Sequence, residues 1–322
     1  MKKTLIASAV AAAALSTSAF AMDQATEIAQ RLDSMPTFYG NIQVAIDYTD
    51  SELSGSNYAF VDNGSTLGVK HKHEVAPGLT AFMKAEFEFD ADGDKTGLDQ
   101  FDEAYIGVEG DFGKVWAGSD DGVYETAIDV TDIFEYVGGN GELDSGVSEH
   151  NSVFYQTPSF SGLTLSAQIS VNGQSGSTSP KTRDALALAA TYSMDALTVG
   201  LAYADNEGDA KGKHSIGLST TYKIDDSLSV QAKYETQKDT VDVFGLSGIY
   251  TMGQNKFAAA YYYSEEDAKS GTDTDTIALQ ALHNVSDNMY VYTEFQWSDA
   301  ANQLASKSGE AKTLVMGATY NF

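Results

Sequence analysis

The sequence predicts an all-β protein, a transmembrane antiparallel β-barrel of sixteen strands. Three observations carry that reading. The chain closes on Leu314, Met316, Ala318, Tyr320 and Phe322 at one parity and Val315, Gly317, Thr319 and Asn321 at the other, the period of two that marks a strand with unlike faces. Further segments alternate in the same way, with their charges kept off the apolar parity. Short turns then alternate with longer, more acidic connections along the whole chain.

The amino terminus comes first. Met1-Lys2-Lys3, the apolar run Leu5 to Leu15 broken only by Ser8, and Ala19-Phe20-Ala21 have the charged, apolar and small-residue parts of a secretory signal. The run is far short of the ~20 residues of a spanning helix. Residues 1–21 are therefore expected to be cleaved between Ala21 and Met22 on the general secretory route. Residues 22–36 do not alternate. Ala25, Ile28, Ala29 and Leu32 fall on one helical face, which predicts a short, partly helical extension ahead of a barrel over 37–322.

Composition narrows the function. Removing Lys2 and Lys3 with the signal leaves 17 of the 19 basic residues against 46 acidic ones, a charge of −29. That field repels nucleic acid, whose phosphates need the opposite sign. With 42% apolar and 11% aromatic residues the chain is too apolar for disorder. It holds no cysteine, which excludes disulfides and thiolate metal sites. No cofactor is expected. No apolar run past the signal reaches ~18 residues, so strands must do the spanning.

The strands follow in order. Ile42, Val44, Ile46 and Tyr48 alternate with Asn41, Gln43, Ala45 and Asp47; Leu163 to Val171, Leu197 to Ala204, Ser215 to Ile224 and Leu228 to Glu235 repeat the pattern. Asp47, Lys223, Lys233 and Glu235 all sit on the polar parity, as expected if the other faces lipid, where a charge costs ~2–4 kcal/mol at the midplane. The polar parity is also small, rich in Gly, Ala, Ser and Thr. Such a face leaves a lumen open. A β-sandwich is the competing architecture, but it would carry more Val and Ile and fewer Tyr at strand ends. Seven short turns, at Pro77-Gly78, Asp111 to Gly113, Ser159 to Gly162, Asp195, Asp225-Asp226, Gly253 to Asn255 and Ser286 to Asn288, alternate with eight long loops. The count gives sixteen strands, wide enough for an aqueous channel.

At this point the residues resemble a family. Thr37-Phe38-Tyr39-Gly40-Asn41-Ile42, Ser65 to Lys70, Glu103 to Val108, Gly110 to Val115 and Asn151 to Tyr155 are similar to successive strand motifs of the Gram-negative general diffusion porins, and the terminal Tyr320 and Phe322 resemble the assembly signal of outer-membrane barrels. The resemblance implies a homotrimer in the outer membrane, delivered by the barrel-assembly machinery, with its third external loop folded inward. That loop is the longest, Ser119 to Glu149, and Asp132-Ile133-Phe134-Glu135-Tyr136-Val137-Gly138-Gly139 is similar to the family's constriction motif. Asp120, Asp121, Asp129, Asp132 and Glu135, with Gly138 and Gly139, are the expected constriction. The alternative is an external acidic loop that holds divalent cations and lipopolysaccharide.

The chain departs from the family on the opposite wall, where arginines are typical. The matching positions are Thr66, Ser119 and Phe154, none of them basic, while Lys70, Lys72 and Lys84 share the inward parity nearby. The cation cluster is either shifted or missing. With nine acids and no base between Ser119 and Glu149, the expected function is a passive, cation-selective channel for small hydrophilic solutes. A substrate-specific channel and a barrel enzyme are the alternatives. The five histidines show no nucleophile or metal-ligand spacing, and His71 with His73 lacks a third ligand.

Overall fold

The structure, a computed structural model, describes residues 35–93, 101–138, 143–171, 184–206, 213–267, 273–299 and 309–322. The signal, its cleavage site at Ala21 and Met22, and most of the 22–36 extension lie outside them, as does Gly139.

Alternation becomes strands β1 (Thr37–Ser51), β2 (Gly55–Asp62), β3 (Thr66–Ala76), β4 (Leu79–Glu88), β5 (Phe101–Gly110), β6 (Gly113–Ser119), β7 (Ser152–Gln156), β8 (Leu163–Ser170) and β9 (Ala185–Met194). The second half adds β10 (Leu197–Asn206), β11 (Lys213–Lys223), β12 (Leu228–Gln237), β13 (Val241–Met252), β14 (Asn255–Glu266), β15 (Asp273–Ser286), β16 (Met289–Ser298) and β17 (Ala311–Asn321). Neighbours pair antiparallel in chain order, and β1 closes on β17 from Asn41↔Asn321 to Ser51↔Ala311. In hydrocarbon an open edge would leave unpaired backbone groups, so closure is obligatory.

Seventeen segments fill sixteen positions because β2 and β3 share one place beside β1. β2 covers Val44 to Ser51 and β3 covers Thr37 to Asn41. Between them the Asp62 carboxylate accepts the backbone N–H groups of Gly64 at 2.9 Å and Ser65 at 2.8 Å. Gly64 holds φ +81° there, a conformation that suits glycine. The barrel is therefore the expected closed, sixteen-stranded one.

The two faces divide as the parity requires. Ile46, Ile106, Leu201, Leu246 and Met316 stand outward and exposed, whereas Ala187, Ala204, Ser215 and Thr276 are fully buried on the inner face. Large apolar side chains exposed around the whole circumference are what a lipid-facing band needs. The packed core lies inside the barrel. The short helix α1 (Val123–Ile128) brings Val123, Tyr124, Ala127 and Ile128 against Trp116, Phe154 and the alanines of β9 and β10. Six residues cannot hold a helix alone, so this wall contact is what sustains it.

Candidate functional site

The connection from β6 to β7 makes its contacts with inner-face residues of strands far away in sequence. It leaves β6 with Trp116 donating from its indole N–H to Asp120 at 2.6 Å. The Val123 N–H then donates to the Gln168 side chain of β8 at 3.0 Å, and Ser219 of β11 donates to the Ala127 carbonyl at 2.7 Å. This close approach depends on a bare wall. A Cβ at Gly200 would lie 2.3 Å from the Ala127 oxygen, and one at Gly217 2.7 Å from Ile128.

Charged contacts hold the rest of the limb. Lys233 of β12 places its Nζ 2.5 Å from Asp129 and 2.9 Å from Glu235, with its side chain wholly buried. The Tyr262 hydroxyl donates to the Thr131 carbonyl at 2.7 Å. Glu294 of β16, also buried, accepts the backbone N–H groups of Glu135 at 2.7 Å, Tyr136 at 3.1 Å and Val137 at 2.9 Å, and an amide N–H of Gln280 at 2.7 Å. Glu135 is fixed at its carboxylate too, by Lys256 of β14 at 3.2 Å and the Tyr290 hydroxyl at 2.7 Å. Asn63 donates to the Glu135 carbonyl at 2.7 Å. Residues 120–138 thus line the inner wall from β8 round to β16 and β2.

Beside this segment lies a recess of 580 Å³ whose lining includes Lys84, Glu103, Lys114, Asp120, Asp121 and Trp116. Lys84 bridges Glu103 at 2.6 Å and Glu86 at 3.6 Å. Burial, then the charge of Glu103, pushes the Asp120 carboxyl up to about 6, against the Trp116 hydrogen bond and Lys114, which pull it down. Thr126, Thr164, Ser166, Thr191 and Ser193 line the same space.

The other expected residues fall as follows. Asp132 lies against Gly138. Thr66 is buried, its N–H donating to the Asn41 side chain at 3.0 Å. Lys70 sits 4.9 Å above the Tyr39 ring. Ser119 meets His150 Nδ1 at 2.9 Å. Phe154 has the inward parity but no contact with open space. It is fully buried and stacked on Trp116, ring centres 5.0 Å apart, so it supports α1 and does not line the passage. Phe322 exchanges two backbone hydrogen bonds with Gly40, at 3.0 and 3.2 Å, closing the seam beside the exposed Tyr320. Sequence reasoning missed Lys114, Lys256 and Glu294 as site residues. Their parity marked them as inward, but only the path of the 120–138 segment reveals what they touch.

The chain matches the Gram-negative porin family over residues 7–303. It is 29% identical to a protein named monosaccharide porin from Halomonas sp, over the full length of both chains. Among solved structures, the anion-selective porin from Comamonas acidovorans matches with TM-score 0.74 and 19% identity, covering 89% of this chain and 99% of that one. OmpT, an outer membrane protein of Vibrio cholerae in its trimer form, matches with TM-score 0.67 and 18% identity, again over 89% and 99%. At such identities the structures speak for the fold alone.

Proposed function

This chain belongs to the Gram-negative porin family and forms a diffusion channel in the outer membrane, and from that premise we propose a passive pore for small hydrophilic solutes with a preference for cations. The 120–138 segment is its constriction. The observation that carries the reading is the charge around the 580 Å³ recess, where Glu103, Asp120 and Asp121 outnumber Lys84 and Lys114. A narrow, low-dielectric passage with an excess of one sign concentrates the counterion. The anion selectivity named for the Comamonas relative does not carry over, because 19% identity conveys architecture only.

The test is the zero-current potential across a KCl gradient at low ionic strength. The parent should favour K⁺, and Asp120→Asn with Asp121→Asn should lower that preference. The effect should fade as the Debye length falls from ~10 Å at 0.1 M to ~3 Å at 1 M. Anion preference in the parent defeats the reading.

A second reading, sugar passage, is favoured by the five serines and threonines lining the same recess and by the name of the Halomonas relative. Swelling of proteoliposomes in glucose faster than in an ionic solute of equal size would support it. The trimer form of OmpT favours a homotrimer here. Acidic outer loops bridged to lipopolysaccharide by divalent cations, and Tyr320 with Phe322 read by the barrel-assembly machinery, complete the proposal.

A further inference from the structure

On the short-turn side of the constriction the wall reverses the sign of the chain. A recess of 370 Å³ gathers Lys70, Lys72, Lys84 and Lys114, four of only 19 basic residues in a chain of net charge −27. Glu109 is the single carboxylate in its lining, and Lys72 engages it. Lys84 is held by Glu103. Lys70 and Lys114 have no carboxylate within ion-pair distance among the described residues.

These two ammoniums rest on aromatic faces. Lys70 lies 4.9 Å from the Tyr39 ring centre, and Lys114 lies 4.2 Å from Trp116, 4.8 Å from Phe82 and 5.6 Å from Tyr105. The rings can lie flat on the wall because the positions beneath them are glycines. A Cβ at Gly68 or Gly107 would come within 2.3 Å of Tyr39 or Phe82. A ring face attracts an ammonium but leaves most of its three N–H donors without a strong acceptor. Both cations are thus pre-positioned, shielded from water on one side and open on the other. Charge-assisted hydrogen bonds to an oxyanion are the strongest use of such donors.

We propose that this recess is a binding subsite for a compact oxyanion of two or more negative charges, a di- or tricarboxylate or a polyphosphate, reached from the periplasmic mouth. Lys70 and Lys114 donate to the anion. Lys72 and Lys84 add field while keeping their own partners. The side follows from the turns, since Lys72 precedes the short Pro77-Gly78 turn and Lys114 follows Gly113 directly, and short turns are periplasmic in outer-membrane barrels. The subsite shares Lys84, Tyr105 and Lys114 with the recess that carries the cation preference, and Lys70 and Lys72 belong to the subsite's lining alone. A pore can pass K⁺ and still hold a multivalent anion at one mouth.

The experiment uses the intact protein in a planar bilayer at 0.1 M KCl, about a 10 Å Debye length, with citrate or inorganic pyrophosphate added to one side. Expected is interruption of the single-channel K⁺ current, at concentrations at least tenfold lower from the short-turn side. Lys70→Gln with Lys114→Gln should need at least tenfold more anion, whereas Lys70→Arg with Lys114→Arg should keep the block, which separates charge from folding. Lys312→Gln, an exposed lysine at the opposite end, should change nothing. A readout on the parent binding site is Trp116 emission in a Trp297→Phe background, because an anion that draws Lys114 off the indole must alter it. Block by either anion that the double Gln variant loses supports the subsite. No block and no Trp116 response to either anion, or block that the double Gln variant retains, overturns it.

Discussion

Glu294 is where a single atom pair should control the pore. Its two oxygens take four N–H donors, three from the backbone of residues 135–137 and one from Gln280. Glu294→Gln keeps the shape but turns one oxygen into an NH₂ group, so the two donors that faced that oxygen lose their acceptor. Hydrogen bonds to a charged group contribute ~1.5–3 kcal/mol each, which puts the loss at about 3–6 kcal/mol for the attachment of this limb. At ~1.4 kcal/mol per factor of ten, the detached population rises by at least ~100-fold. The barrel itself should persist, because the β15–β16 and β16–β17 ladders are untouched. Two assays read the change: faster hydrogen exchange at the amides of 135–137, and a larger, noisier single-channel conductance. Glu294→Leu, which removes all four acceptor contacts, should exceed Glu294→Gln in both. Unchanged exchange at 135–137 together with parental conductance would refute the clamp.

Three further outcomes are expected. Asp120 is raised to about 6 by burial and Glu103, so its charge is lost as pH falls through 6; cation preference should drop between pH 7.5 and 5, and Asp120→Asn should remove that step. The same sign applies to stability: a carboxyl raised in the fold is unfavourable above that pH and relieved below its unfolded value near ~4, so chemical denaturation should show a slight gain on acidification attributable to this residue. Neutralising Asp132 and Glu135 to Asn and Gln should shift the reversal potential toward anions, partly because Lys256 loses its partner at 3.2 Å; no shift would place both outside the permeation path. Deleting Phe322 removes the seam contacts to Gly40 and should reduce the yield of assembled barrel in the outer membrane while leaving synthesis and export intact, measured by heat-modifiable mobility on gels.

The barrel was legible because alternation is local. Tyr48 and Asp47 report opposite faces whatever their partners are, and every such segment points to the same wall. The break between β2 and β3 was not, since the Asp62 side chain replaces ladder bonds there and the register slips by one residue, so that Phe60, opposite Ile46, and Leu67, opposite Gly40, are both exposed although they fall on opposite parities. Acids on the 120–138 segment could be counted, and their glycines noted, but not their partners. Asp129 meets Lys233 across 104 residues and Glu135 meets Lys256 across 121, and no periodicity encodes such pairings. Phe154 illustrates the same limit. Its parity was correct, yet parity cannot tell open lumen from wall covered by a helix.

Counting acids also overstates the field they produce. Of the nine between Ser119 and Glu149, Asp129 and Glu135 each hold a lysine, so their charge acts mainly as a tether. Lys233 makes the point most clearly, since its side chain is fully buried between Asp129 and Glu235. A buried cation is costly to desolvate and tolerable only when paired, and stripping one partner from such a site costs ~3–5 kcal/mol. Asp129 and Glu135 are therefore what tie the segment to two lysines of the wall, Lys233 and Lys256. Within the recess beside the segment, Asp120 and Asp121 act together with Glu103 of β5, opposed by Lys84 and Lys114. Selectivity should accordingly respond more steeply to substitutions in that set than to Asp129, whose loss should first be felt as a loosened segment.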